Sequence, residues 1–383
     1  MPRPDLRPQS AMERVGLGYV HRLRERQRVG APAWPDFADS TLSSLRTVER
    51  SALWKAALGG LVCGLVASVM AWWVELDVAQ APEAYHTWIQ RWPWLLSGLL
   101  GGVPTVIEVV FLYLLGLHTV HELERAAGMP AGSRPQQAVA DLALVRTALE
   151  MPNPNRVTLG IDPLRGASKL ELALLTLIYK AKISITTFGI RVVVKRVLGR
   201  TVLRGLGQLA SAPAYCLWNG LVFRKLVRES RLRILGPALA RTIVEDLGLL
   251  ELQGLAVRAL AQVVVARQDL HPNQQQLLEA LDADRVEVPE EDREHFVAEV
   301  LSRSDDVQHR IGALMGAALA VSGELPRRDR RLLRWLDEGP LPVPTEQVLA
   351  FAEALWTEGW MPRARIDGYV AAIARARAGE PAA

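Results

Sequence analysis

Glu108 is the one ionisable side chain inside a long apolar run, Trp92 to Leu117, and it heads a line of residues suited to moving a proton or holding a metal. Steps of 7, 3 and 4 place Glu108, Leu115, His118 and Glu122 on one helical face, and His121 adds a second imidazole. Imidazoles titrate near neutral pH, and both imidazole and carboxylate ligate divalent metals. A carboxyl inside a membrane helix is costly to bury, which makes Glu108 a functional candidate. The competing reading is structural: a carboxylic acid hydrogen-bonded to a neighbouring helix, with His118, His121 and Glu122 marking the water interface. Elsewhere the seven histidines are scattered, and the sequence has no P-loop, no GxSxG and no HExxH. No enzymatic activity and no bound cofactor are expected.

The element that must carry Glu108 is a membrane helix. Ala56 to Val74 runs without a single charge, and the second run carries only Glu108 inside. Crossing the hydrocarbon of a bilayer takes about 20 apolar residues in a helix. Trp54, Trp72, Trp73, Trp92 and Trp94 stand at the run ends, where indole rings settle among headgroups. Residues 1–55 carry ten Lys and Arg, whereas the connection from Glu75 to Arg91 carries one. The positive-inside rule therefore puts both termini in the cytoplasm and the connection outside. About 50 mainly hydrophilic residues precede the first run, so a cleaved signal peptide is not expected. Gly60 with Gly64, and Gly98 with Gly102, have the GxxxG spacing that lets helix backbones approach. These residues predict a tightly packed hairpin. Two helices shield a carboxyl poorly, so homo-oligomerisation or packing on a partner is also expected.

Charge is partitioned along the rest of the chain. Residues 165–240 hold fourteen Lys and Arg against Glu171 and Glu229, and residues 241–383 hold sixteen against twenty-four acids. Lys180 and Lys182 interrupt the apolar stretch after Lys169, and each would cost about 2.5–3.5 kcal/mol at the centre of a span. Amphipathic helices are expected there instead. Arg196, Arg200 and Arg204 recur every four residues, with Arg191 and Lys195 nearby, giving one basic face. That face suits anionic lipid headgroups, or is a solvated helix face; no nucleic-acid module accompanies it, and nucleic acid is not an expected partner. A further helix is expected from Ser211, with Pro213 in its first turn. Cys63 and Cys216 lie in a span and on the cytoplasmic side, so no disulfide framework is expected.

The distal third repeats itself, pairing Leu270 with Leu325, Leu277 with Leu332, Leu281 with Leu336 and Phe296 with Phe351. Each copy reads as helix, turn, helix, Pro-marked turn, helix. The run Ser322-Gly323-Glu324-Leu325 followed by Asp329, with Gln268-Asp269-Leu270 in the other copy, resembles the signature turn of tellurite-resistance TerB-like helical domains. The first acidic position of that pattern is Ser322 in one copy and Arg267 in the other, which departs from the metal site the resemblance implies. The stretches 160–188 and 213–237 also resemble a family of uncharacterised bacterial two-span membrane proteins. That resemblance implies the architecture and the bacterial inner membrane, and no activity.

The expected fold is all-α, a two-helix transmembrane hairpin followed by cytoplasmic helical domains with an internal repeat of about 55 residues. Its parts are a basic, partly disordered segment over 1–55, the hairpin over 56–117 (spans 56–74 and 92–117), and a connecting helix and linker over 118–164. Basic juxtamembrane helices follow over 165–240, an acidic repeat domain over 241–375 and a disordered tail over 376–383. The expected function is a membrane-anchored scaffold or sensor whose distal domain recruits a cytoplasmic protein partner. The alternative is an oligomeric channel or transporter accessory subunit that uses Glu108. Charge reversal at Arg196, Arg200 and Arg204 is expected to weaken binding of a 165–240 fragment to anionic vesicles at least tenfold in co-sedimentation, since each basic residue at such a surface contributes about 1 kcal/mol.

Overall fold

A computed structural model of the 383-residue chain describes residues 11–25, 39–80, 93–128, 161–163, 211–286, 288–289, 293–338, 343 and 345–375. Among the described residues the fold is all-helical, with no strand. The helices are α1 (Ala11–Glu25), α2 (Asp39–Gln80), α3 (Pro93–Ala127) and α4 (Ser211–Asp246). They continue with α5 (Gln253–Arg267), α6 (Pro272–Ala280), α7 (Arg293–Leu301), α8 (Asp305–Ala320), α9 (Arg327–Glu338), α10 (Thr345–Thr357) and α11 (Arg363–Arg375).

Among the described residues, three stretches are long and apolar enough to cross a membrane: Ser40–Met70, Val106–Ala127 and Leu249–Arg267. The first two lie in α2 and α3, which carry the expected spans. The third is different. A helix apolar on every side is buried either by lipid or by protein, and here protein covers it: Ala256, Val257, Leu260, Val263 and Val264 are fully enclosed. We therefore read α5 as a core helix.

The helices overrun the boundaries expected from sequence. The segment 39–55 is the start of α2, with Ser43 and Ser44 hydroxyls donating to the carbonyl of Ser40 at 2.8 and 2.9 Å. Helix α3 continues past Leu117 to Ala127. Helix α4 starts at Ser211 as expected but passes through Pro237, so the expected boundary at 240 falls inside it.

The chain divides into two compact units, one of Arg46–Val120 and Ala173–Val227, the other of Met1–Leu45, His121–Leu172 and Arg228–Ala383. In the first, Ala52, Ala56, Gly60, Gly64 and Ser68 form a buried stripe of small residues along α2. Its other faces expose Leu58, Val62, Leu65, Val66 and Val69, and α3 likewise exposes Val106, Ile107, Val109, Val110 and Phe111. This is the inverse of a water-soluble bundle.

The second unit is built around α8, in which every residue from Ile311 to Ala320 is buried. Helices α5, α7, α9, α10 and α11 pack on it. Small side chains allow that enclosure: a methyl on Gly316 would stand 2.7 Å from Val343 Cγ1 and 2.9 Å from Val348 Cγ2. Leu232, Leu239 and Ile243 of α4 enter the same core at no more than 1% exposure, so the acidic repeat does not close its core without 228–246.

A buried polar network fastens α4 and α8 to the start of α6. His271 caps α6, its Nδ1 accepting from the Asn273 N–H at 3.2 Å, while Gln274 Oε1 accepts from the His271 N–H at 3.1 Å. With Nδ1 an acceptor, Nε2 is the protonated nitrogen and donates to Glu229 Oε1 at 3.2 Å. Asn273 Nδ2 donates to the carbonyls of Leu232 at 3.0 Å and Val321 at 2.8 Å. Burial pushes the Glu229 carboxyl up, but the Arg233 guanidinium and His271 outweigh it and hold Glu229 well below the usual carboxylate range.

Helix α6 begins at Pro272 and α9 at Arg327, separated by the offset of the expected repeat. Gln268 and Gly323, which share that offset, both take left-handed φ values, of 55° and 69°. The ends meet reciprocally. Gln274 Nε2 donates to the Ala318 carbonyl at 2.8 Å, bringing the first turn of α6 to the last turn of α8. Asp329, in the first turn of α9, pairs with Arg267 at the end of α5 at 3.0 Å, both nearly inaccessible.

On α6, burial pushes the Glu279 carboxyl up to about 7, with the Gln275 amide donating to Oε1 at 3.1 Å and Oε2 lacking a hydrogen-bond partner. Between its unfolded value and about pH 7 the folded state holds the extra proton, so Glu279 costs stability progressively as pH rises through that window. Glu279→Gln is therefore expected to raise the melting temperature at about pH 8 and to leave it nearly unchanged at about pH 5. Melts of wild type and variant at both pH values check this; an equal shift at both would contradict it.

Candidate functional site

The carboxyl singled out by sequence is buried in the first unit. Glu108 is 7% exposed, although its neighbours Ile107 and Val109 face outward. Its Oε1 accepts a 2.5 Å hydrogen bond from Nδ2 of Asn219, itself 5% exposed, on α4. An amide is a suitable partner here because it supplies an N–H without adding a second charge to an apolar site.

Three helices make the site, and glycines on α2 give them room. A Cβ on Gly60 would lie 2.5 Å from Asn219 Nδ2 and 2.7 Å from the Tyr215 carbonyl. One on Gly64 would lie 2.8 Å from the Cα of Ala212, and one on Gly59 would strike the Phe111 ring. Gly60 and Gly64 thus seat α4, while Gly59 seats α3. The pairing of Gly60 with Asn219 and of Gly64 with Ala212 makes α2 and α4 antiparallel.

The other residues marked by sequence do not converge on Glu108. His118 is ten residues further along α3, about 15 Å away at 1.5 Å per residue. His121 is buried and Glu122 is half-buried, with an ion pair from Glu122 to the exposed Arg125 at 3.4 Å. Among the described residues no three His, Cys, Asp or Glu side chains group as metal ligands. Gly98 and Gly102 fall within α3, but their packing lies outside the described residues. Arg191, Lys195, Arg196, Arg200 and Arg204 also lie outside them.

The turn that resembles a metal-binding one is occupied differently. Ser322 Oγ contacts the carbonyls of Leu319 and Glu324 at 3.0 and 2.9 Å, and Arg267 neutralises Asp329. A carboxylate already paired with a guanidinium is a poor cation ligand. Comparison with protein-family models, curated proteins and solved structures finds no match to this chain.

Sequence reasoning overlooked Asn219. Its signal was an amide within the apolar run Ala214–Phe223, masked by the basic residues that follow. The small-residue stripe was also longer than its two glycines, since Ala52, Ala56 and Ser68 share their period and burial. Asn219→Ala leaves the carboxyl without its donor and is expected to cost about 1–3 kcal/mol in detergent-solubilised protein. Glu108→Gln keeps an acceptor oxygen and is expected to be milder, and Glu108→Leu in the Asn219→Ala background should recover part of the loss. Strict additivity in this double-mutant cycle would exclude the pairing as a source of stability.

Proposed function

We propose that the chain is a membrane-anchored scaffold or sensor, in which α2 and α3 form a transmembrane hairpin with both termini in the cytoplasm and the unit from Arg228 onward recruits a cytoplasmic protein. One observation carries this reading: a helical core enclosed on its own, around Ile311–Ala320, belongs to the same chain as a unit whose outward faces are apolar. Joining an anchor to an independently packed unit localises that unit, and with it whatever its surface binds. The recurrence of helix starts and left-handed turns at corresponding positions supports a duplicated three-helix element in the distal unit. The resemblance to bacterial two-span proteins favours a bacterial inner membrane.

The reading of Glu108 as part of a channel or transporter subunit is the weaker one. Asn219 donates to the carboxyl from within the same chain, which supports a fastening role and supplies the shielding otherwise sought from a second copy. Anionic lipid contact by the basic stretch around Arg191–Arg204 fits the scaffold reading equally well.

A photo-crosslinking residue in place of the exposed Glu324 or Arg334 of the full-length chain, in its native membranes, tests the proposal. A recurrent cytoplasmic adduct, competed by a soluble 228–375 fragment, is the expected outcome. A folded fragment that competes nothing, with no adduct at either position, would overturn it.

A further inference from the structure

We infer that the first part of α4, Ser211–Phe223, is a third membrane-embedded helix, with one face on the two spans and the other on lipid hydrocarbon. From sequence, this stretch is expected among the basic juxtamembrane helices of 165–240, either on anionic headgroups or presenting a solvated face. The inference rests on the membrane reading of α2 and α3.

Depth is the first argument. Ala212 lies against Gly64, near the middle of the apolar run Ala56–Val74, and Asn219 lies against Gly60. Because the two helices are antiparallel, Arg224 and Lys225 come level with Lys55, about one and a half turns further toward the basic end. All three cations are exposed, and Trp54 beside Lys55 is exposed too. Charge therefore begins at one level on both helices, as it does at a headgroup boundary.

The outward face is the second argument. Leu217, Trp218 and Leu221 are 66%, 40% and 52% exposed and recur at helical spacing. They continue the apolar surface that α2 presents with Leu58, Val62, Leu65 and Val66, and α3 with Val106, Ile107 and Val110. In water this surface would be a large unpartnered patch; in hydrocarbon it is ordinary. Among the described side chains, the interior face of the same helix buries only Ala212, Asn219 and Phe223, with Asn219 satisfied by Glu108.

The start of the helix is the third. Backbone N–H groups in a first turn lack intrahelical partners, and each is costly in hydrocarbon. Pro213 removes one of those donors from the first turn of α4.

Power-saturation EPR on the full-length chain in phosphatidylcholine–phosphatidylglycerol vesicles tests this. Cys63→Ala and Cys216→Ala remove the native thiols, and single nitroxides are attached at Leu217→Cys or Leu221→Cys. Val62→Cys on α2 and Glu251→Cys in the other unit serve as lipid and water references. At 217 and 221 the ratio of oxygen to nickel-chelate accessibility is expected to match Val62→Cys and to exceed Glu251→Cys several-fold. Water-like ratios at 217 and 221 beside a lipid-like Val62→Cys overturn the third helix and leave the spans standing. Low accessibility to both reagents assigns the face to a protein partner and equally overturns it. A water-like Val62→Cys overturns the membrane reading itself, and this inference with it.

Discussion

A carboxyl group within an apolar helix must find a hydrogen-bond donor, and much of the first unit follows from how Glu108 finds one. Its partner, Asn219, stands 111 residues later in the chain, so satisfying one side chain brings a distant helix onto α2 and α3. The approach works only where backbones can close in. Gly60 and Gly64 supply that opening, and Ala52, Ala56 and Ser68 extend it along α2. Where lipid surrounds helices, the hydrophobic effect no longer drives them together, and close packing and polar pairing do the assembling. Both appear together at this junction.

The second unit solves the opposite problem. Its centre is a helix of mostly small residues buried over Ile311–Ala320, around which larger side chains such as Leu260, Phe296 and Phe351 fill space. Polar groups are buried there too, and Arg267, His271, Asn273, Gln274, Ser322 and Asp329 stand at helix ends, where free backbone donors and acceptors need partners in any case. Asn273 is the clearest instance: one amide bonds carbonyls from both α4 and the end of α8 while its own N–H is capped by His271. Such residues set the angles at which helices meet.

Local signals were legible in the sequence. The uncharged run of α2 and the Ser211–Pro213 start of α4 both depend on residues adjacent in the chain. Glu108 was legible as an anomaly for the same reason. What could not be read were pairings across long separations. Nothing near Asn219 says that it faces Glu108, and nothing near Arg267 says that it faces Asp329. The boundary at 240, drawn where the basic block gives way to an acidic one, falls inside α4, because charge says nothing of where the helix packs: Asn273 bonds the Leu232 carbonyl, and Leu239 and Ile243 are buried in the core.

The crossed contacts between α5 and α9 and between α6 and α8 have an evolutionary consequence. If the distal unit is duplicated as proposed, Arg267 corresponds to Ser322 at one end and Gln274 to Asp329 at the other. The structure sets Arg267 against Asp329, and Gln274 against the end of α8. A symmetric pair made from two first copies would bury arginines facing glutamines, and a pair of second copies would bury aspartates facing serines. Either leaves charge in the interior without its counter-ion, an arrangement that costs several kcal/mol in typical proteins. On the duplication reading, the halves have drifted into complementary specialists, and the linkage between them has become irreversible.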